Sequence, residues 1–171
     1  MAQAVIAQTT AQTEIDESLE YSVKAAFVSK FGAFVEWPDG TFPDPNAPIN
    51  IGLLGDDPFG AHIDQIIAGR NLPGRPIQVS HLRRVDQAKE MQILFISNSE
   101  KSRMEIITAG LRGRSVLTVA DFYDPAVIIT FVIAENKVRF DINLEQAQRN
   151  NLKLSSKLLS VALHVTGTAK P

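Results

Sequence analysis

The segment Gly55-Asp56-Asp57-Pro58-Phe59-Gly60 comes nearest to a chemical motif in this sequence. Its flanking glycines have the spacing of a phosphate loop, but that motif continues with Lys and Ser or Thr, and here Ala61 and His62 follow. Two carboxylates would also oppose a phosphate at a helix N-terminus. Paired aspartates after a strand can hold magnesium beside a phosphoryl-accepting aspartate, yet the later strand end offers only Ser97, Asn98 and Ser99. The simpler reading is structural: one Asp caps a helix whose first position is Pro58, and the other solvates the loop.

Other chemistry is poorly supported. His62, His81 and His164 lie on three different predicted elements without ligand spacing, so no metal or cofactor is expected. A serine-hydrolase elbow is missing, and Ser155-Ser156-Lys157 does not meet the S-x-x-K spacing, so no catalytic residue is assigned. With no cysteine in the chain, thiolate catalysis, thiolate metal sites and disulfides are excluded. Two features are less well explained by packing. Glu36-Trp37-Pro38 places the single tryptophan at a predicted helix end, where it is either a core anchor or an interface and stacking residue. Arg70, Arg75, Arg83 and Arg84 flank a predicted strand, as a solvated loop or as a surface for an anion or a protein. The candidate partner or ligand contacts are Glu36, Trp37, Asp56, Asp57, Phe59, Arg70 and Arg75, the aspartates and Phe59 as the lining of a pocket at the ends of the early strands.

Helical and strand patterns alternate around these residues. Val23, Phe27, Phe31, Phe34 and Val35 recur every three or four positions, predicting an amphipathic helix over 18–37. Pro38 ends it and opens a loop over 38–48. Strands are expected at 49–54, 77–82, 92–96 and 116–119, with helices after the first and third, the latter begun by a Ser97-x-x-Glu100 capping box. Residues 126–134 and 137–142 flank Glu135-Asn136 as a hairpin, with Val138, Phe140 and Ile142 facing inward. Asn143 caps a short helix, and the Ser155-Ser156 pair caps a last one over 155–165, with Leu158, Leu159, Ala162 and Val165 on its apolar face. The expected fold is a three-layer α/β domain: a mixed sheet with parallel core strands and an antiparallel C-terminal hairpin, flanked by helices.

The 171 residues suit one domain, placed at 18–166 between tails at 1–17 and 167–171. A net charge of −2 gives no footprint of a nucleic-acid binder, and no apolar run is long enough to insert in a membrane. No Lys or Arg precedes Lys24, and 2–13 is mostly Ala, Gln and Thr. Such a segment is either what remains after a signal peptide is removed or a plain polar tail.

Several of these runs, taken in order, carry a resemblance. Lys24-Ala25-Ala26-Phe27, Phe34-Val35-Glu36-Trp37-Pro38, Gly55 to Gly60, Ile93-Leu94-Phe95-Ile96, Val116-Leu117-Thr118-Val119, Val138 to Asn143 and Leu154 to Leu159 are similar to the YfiR-like family of bacterial periplasmic proteins. The resemblance covers about 21–165. It implies an exported, non-enzymatic regulator that binds and represses an inner-membrane signalling protein, through the periplasmic domain of a diguanylate cyclase or sensor kinase, and so lowers cyclic di-GMP and biofilm formation. A second copy of the chain is a further admissible partner. The alternative is a periplasmic small-molecule sensor with its pocket near Asp56, Asp57 and Phe59. Without cysteines, the disulfide-based redox control of the best-known member has no counterpart here.

Overall fold

The computed structural model describes residues 2–68 and 74–167, with side chains described from Glu17 onward. The elements in chain order are α1 (Ala2–Phe31), β1 (Val35–Glu36), β2 (Ile49–Leu54), α2 (His62–Ala68), β3 (Ile77–Leu82), β4 (Ile93–Ile96), α3 (Met104–Leu111), β5 (Leu117–Ala120), β6 (Ile129–Ala134), β7 (Lys137–Asn143), α4 (Leu144–Arg149), β8 (Lys153–Leu154), α5 (Ser156–Val161) and β9 (His164–Thr166).

The expected mixed α/β architecture is present. Seven strands form one sheet in the order β3-β2-β4-β5-β6-β7-β9, and β1 pairs with β8 in a separate antiparallel ribbon. From β3 to β6 every pairing is parallel, β6 and β7 are antiparallel, and β9 lies parallel to β7 at the edge. Along the parallel strands the order reverses between β2 and β4. The loops beyond their carboxyl ends are therefore the ones that leave β2 and β4 in opposite directions, the place where doubly wound sheets commonly bind ligands.

The central parallel strands β2, β4 and β5 are largely apolar on both faces, as a sheet covered on both sides requires. Ile51 and Leu53 of β2, Ile93 and Phe95 of β4, and Leu117 and Val119 of β5 face a core shared with Ala25, Val28 and Phe31 of α1 and Ile63 of α2. Leu54, Leu94, Ile96 and Ala120 face the opposite core, closed by Met104, Ile107 and Leu111 of α3. The hairpin turns through Glu135 and Asn136 at φ of 53° and 60°, the paired left-handed geometry of a tight two-residue connection. Phe140 and Ile142 are buried as expected, and Val138 packs against the same core.

Several expected boundaries are corrected. The first helix begins at Ala2 rather than 18, so the segment expected as a tail is helical, consistent with its Ala and Gln content and lack of Gly and Pro. It also ends at Phe31: Gly32–Phe34 tightens into a 3-10 turn, after which Val35 and Glu36 are extended. A Cβ at Gly32 would lie 2.8 Å from Ile49 Cδ1, so the turn packs closely on the start of β2. The helix expected to start at Pro58 begins at His62, since Asp57 caps a turn instead, accepting from the Phe59 N–H at 2.8 Å. The Ser97–Glu100 capping box is not formed. Ser97 makes no side-chain cap and 98–103 is 3-10 before α3. The last helix stops at Val161, and Val165 lies on β9, pairing with Ile142. Two caps match expectation: Asn143 Oδ1 accepts from Gln146 N at 3.0 Å and Ser155 Oγ from Leu158 N at 3.2 Å.

No helix among the described residues is long and apolar enough to cross a membrane. The two apolar cores, with no covalent cross-link, hold the chain together. Addition of a thiol reductant is therefore expected to leave the thermal midpoint unchanged, as a scanning-calorimetry pair with and without dithiothreitol would show; a clear shift would contradict the cysteine-free fold.

Candidate functional site

The candidate residues separate onto two edges of the sheet. At the carboxyl edge, Gly55 turns the chain at φ +92°, and a Cβ there would meet Ser99 Oγ at 2.6 Å and Glu100 Cγ at 2.7 Å. The loop lies tightly on the turn that leaves β4, and the Asp56 N–H donates to Ser99 Oγ at 3.0 Å. Asp57 satisfies its own loop through Phe59 N and faces His81 Nδ1 at 3.6 Å. No group of three His, Asp or Glu suited to a metal ion occurs among the described residues. Phe59 is fully buried, edge-on to Phe95 at 4.7 Å and Tyr21 at 5.9 Å, so it anchors the loop from beneath and offers no surface in this conformation.

The same edge holds a polar cluster that sequence reasoning missed. Lys24, only 4% exposed, projects from α1 with its Nζ 2.9 Å from Asp121 Oδ1 and 2.5 Å from Glu20 Oε1, and lies 4.6 Å above the Tyr21 ring. The Tyr21 hydroxyl donates to Asp121 Oδ2 at 3.1 Å. One signal was available: a lysine at 24 inside the apolar stripe of Ala25, Val28 and Phe31, one turn after Glu20. Its main partner is almost a hundred residues away, which no local pattern reveals.

This cluster leaves a spectroscopic signature. Burial first, then the Asp121 charge and hydrogen bond and the charges of Glu20 and Glu17, push the Tyr21 phenol well above its ordinary ionisation range. A group whose folded value is raised binds its proton more tightly in the native state. Its contribution to stability is complete below the unfolded value near 10 and is lost as pH rises above it. The chain has two tyrosines, so Tyr123→Phe leaves Tyr21 alone. In that variant the phenolate absorbance is expected to lag behind a free tyrosine peptide and to rise only with alkaline unfolding. Superimposable curves would refute the burial.

At the amino edge the structure brings Trp37 and Arg75 together through a residue not singled out from the sequence. Phe42, in the loop after β1, meets Trp37 edge-on at 5.7 Å, and the Arg75 guanidinium sits 3.8 Å over the Phe42 ring. Arg75 Nη1 donates to the carbonyls of Asp44 at 2.8 Å and Ala47 at 3.1 Å, tying this loop to the start of β3. Trp37 is half-buried, with its Nε1 enclosed and without a hydrogen-bond partner among the described residues. These side chains border an open, largely apolar cavity of about 630 Å³. Across the Phe42 loop lies a more polar one of about 790 Å³, bordered by Asp39, Lys89, Glu90 and Arg114.

The remaining candidates do not converge here. Glu36 is exposed on β1, in register with Lys153 of β8. Arg83 and Arg84 belong to the carboxyl end of β3, where the Arg84 Nε pairs with Asp86 at 3.0 Å, so the predicted basic set is split between two edges. Arg70 lies outside the described residues.

Comparison with curated proteins finds no match. The YfiR/HmsC-like family model matches residues 21–163, from the lysine cluster on α1 through both cavities to the segment after α5. That span covers most of the sequence and almost every element of the sheet, and the chain belongs to the YfiR/HmsC-like family.

Proposed function

We propose that this protein is a periplasmic, non-enzymatic regulatory domain that binds the periplasmic part of an inner-membrane signalling protein, of the diguanylate cyclase type, and represses it. The observation that supports this reading is the family match over 21–163. Repression would lower cyclic di-GMP and with it biofilm formation. The contact is assigned to the amino edge, where Trp37, Phe42 and Arg75 form an aromatic and cationic rim, residue types enriched at protein interfaces.

Deleting the gene is expected to raise cellular cyclic di-GMP and surface attachment, and re-expression to reverse both. The purified chain, used as bait on detergent-solubilised membranes, should retain a diguanylate cyclase. Unchanged cyclic di-GMP on deletion, with no signalling protein retained, would overturn the reading.

A further inference from the structure

We propose that the amino-edge cavity is a binding site for a monoanionic amphiphile, a carboxylate carried on an apolar acyl chain. Its volume of about 630 Å³ lies within the range of small-ligand sites. The walls are apolar and in part aromatic: Phe34, Val35, Trp37, Phe42, Ile49 and Ile77. Two cations border it, Lys30 from the last turn of α1 and Arg75 from the start of β3, and no Asp or Glu does so among the described residues. That imbalance is local, because the chain as a whole carries 19 acidic against 17 basic side chains.

The charges suit one carboxylate rather than a polyphosphate. Arg75 commits Nη1 to the Asp44 and Ala47 carbonyls, and its other nitrogens have no partner among the described residues, so the guanidinium is pre-positioned with donors to spare. Phe42 beneath it fixes the plane of the fork. Lys30 is exposed and adds a second, mobile charge. Among the described residues Trp37 Nε1 has no acceptor, and an entering chain can reseat the ring.

The test uses the isolated chain with decanoate as probe, kept below its micellar concentration, and decanol as the uncharged control. Trp37 is the only tryptophan, so its emission reports this cavity directly. Decanoate is expected to change that emission saturably with one molecule per chain and to raise the thermal midpoint, while decanol binds more weakly. Arg75→Gln and Lys30→Gln should each weaken decanoate on the order of tenfold, the equivalent of one charge-assisted contact. If Arg75→Gln fails to fold after losing its loop ties, Lys30→Gln and the decanol comparison carry the test. No saturable change, equal binding of decanol, or unaltered affinity in the folded variants would overturn the proposal. The assay needs no membrane partner, so failure here leaves the regulatory reading standing, and a failed membrane capture leaves this site standing.

Discussion

Lys24→Ala is expected to lower the unfolding free energy by about 3 kcal/mol, at the lower end of what removing one partner of a buried ion pair costs. Lys24 is 4% exposed, and its loss leaves Asp121, 12% exposed, with a carboxylate facing a cavity instead of an ammonium at 2.9 Å. Glu20 is more exposed and regains solvent, which keeps the estimate below the figure for a fully enclosed pair. Urea denaturation followed by circular dichroism would read the change as a lower midpoint at constant slope. The electrostatic origin has its own check. Lys24→Met keeps most of the packing but not the charge and should cost nearly as much, whereas adding Asp121→Asn removes the stranded carboxylate and should restore a large part of the loss. A double variant as unstable as the sum of the singles would show that the ion pair is not what holds this end of α1 to the loop after β5.

Phe31→Ala is expected to cost about 3–5 kcal/mol, the range for truncating a fully buried aromatic. Phe31 is 1% exposed and meets Phe140 edge-on at 5.3 Å, with Phe131 at 6.0 Å and Phe27 at 6.2 Å in stacked arrangements. It joins the end of α1 to the β6–β7 hairpin, so truncation opens a cavity where helix and sheet meet. Phe31→Leu refills part of the space and should recover about half of the loss. Given the usual 5–15 kcal/mol stability of a domain, the alanine variant is expected to show a clearly lower denaturation midpoint, and a shift equivalent to less than about 1 kcal/mol would mean that α1 is not integral to the core. The two variants together locate the helix attachment: one site is polar at the carboxyl edge of the sheet, the other apolar at the hairpin.

Much of the fold was legible because the relevant forces act over a few residues. The runs at 49–54 and 77–82 match β2 and β3 residue for residue, the first as an apolar stretch bounded by Pro48 and Gly55, the second as an alternating one after Pro76. Glu135-Asn136 announced its hairpin through turn chemistry, and Asn143 and Ser155 announced their helices through short polar side chains that reach back to N–H groups. Misreadings arose where a local preference met a distant neighbour. Phe34 and Val35 continue the helical spacing, yet the chain leaves the helix at Gly32, and β8 offers Val35 and Glu36 a pairing partner. Val165 fits a helical stripe but joins β7, whose edge would otherwise carry unpaired backbone groups.

The candidate site divides the same way. Trp37 and Arg75 could be picked out as unusual, but that they share one aromatic stack through Phe42 depends on β2 and β3 lying side by side with their starts aligned. Phe59 was read as a contact because it stands with Asp56 and Asp57 at the end of an early strand, and it is buried because Tyr21 and Phe95 arrive from other elements. Residue types and spacing by themselves determined the α/β alternation, the cysteine-free core and the absence of a familiar catalytic motif. Only the tertiary structure decided which edge each candidate occupies and that Lys24 meets Asp121. Periodicity and capping are settled within a turn or two of chain, whereas a contact between distant residues is settled by strand order, which brings them together only once the whole sheet has formed.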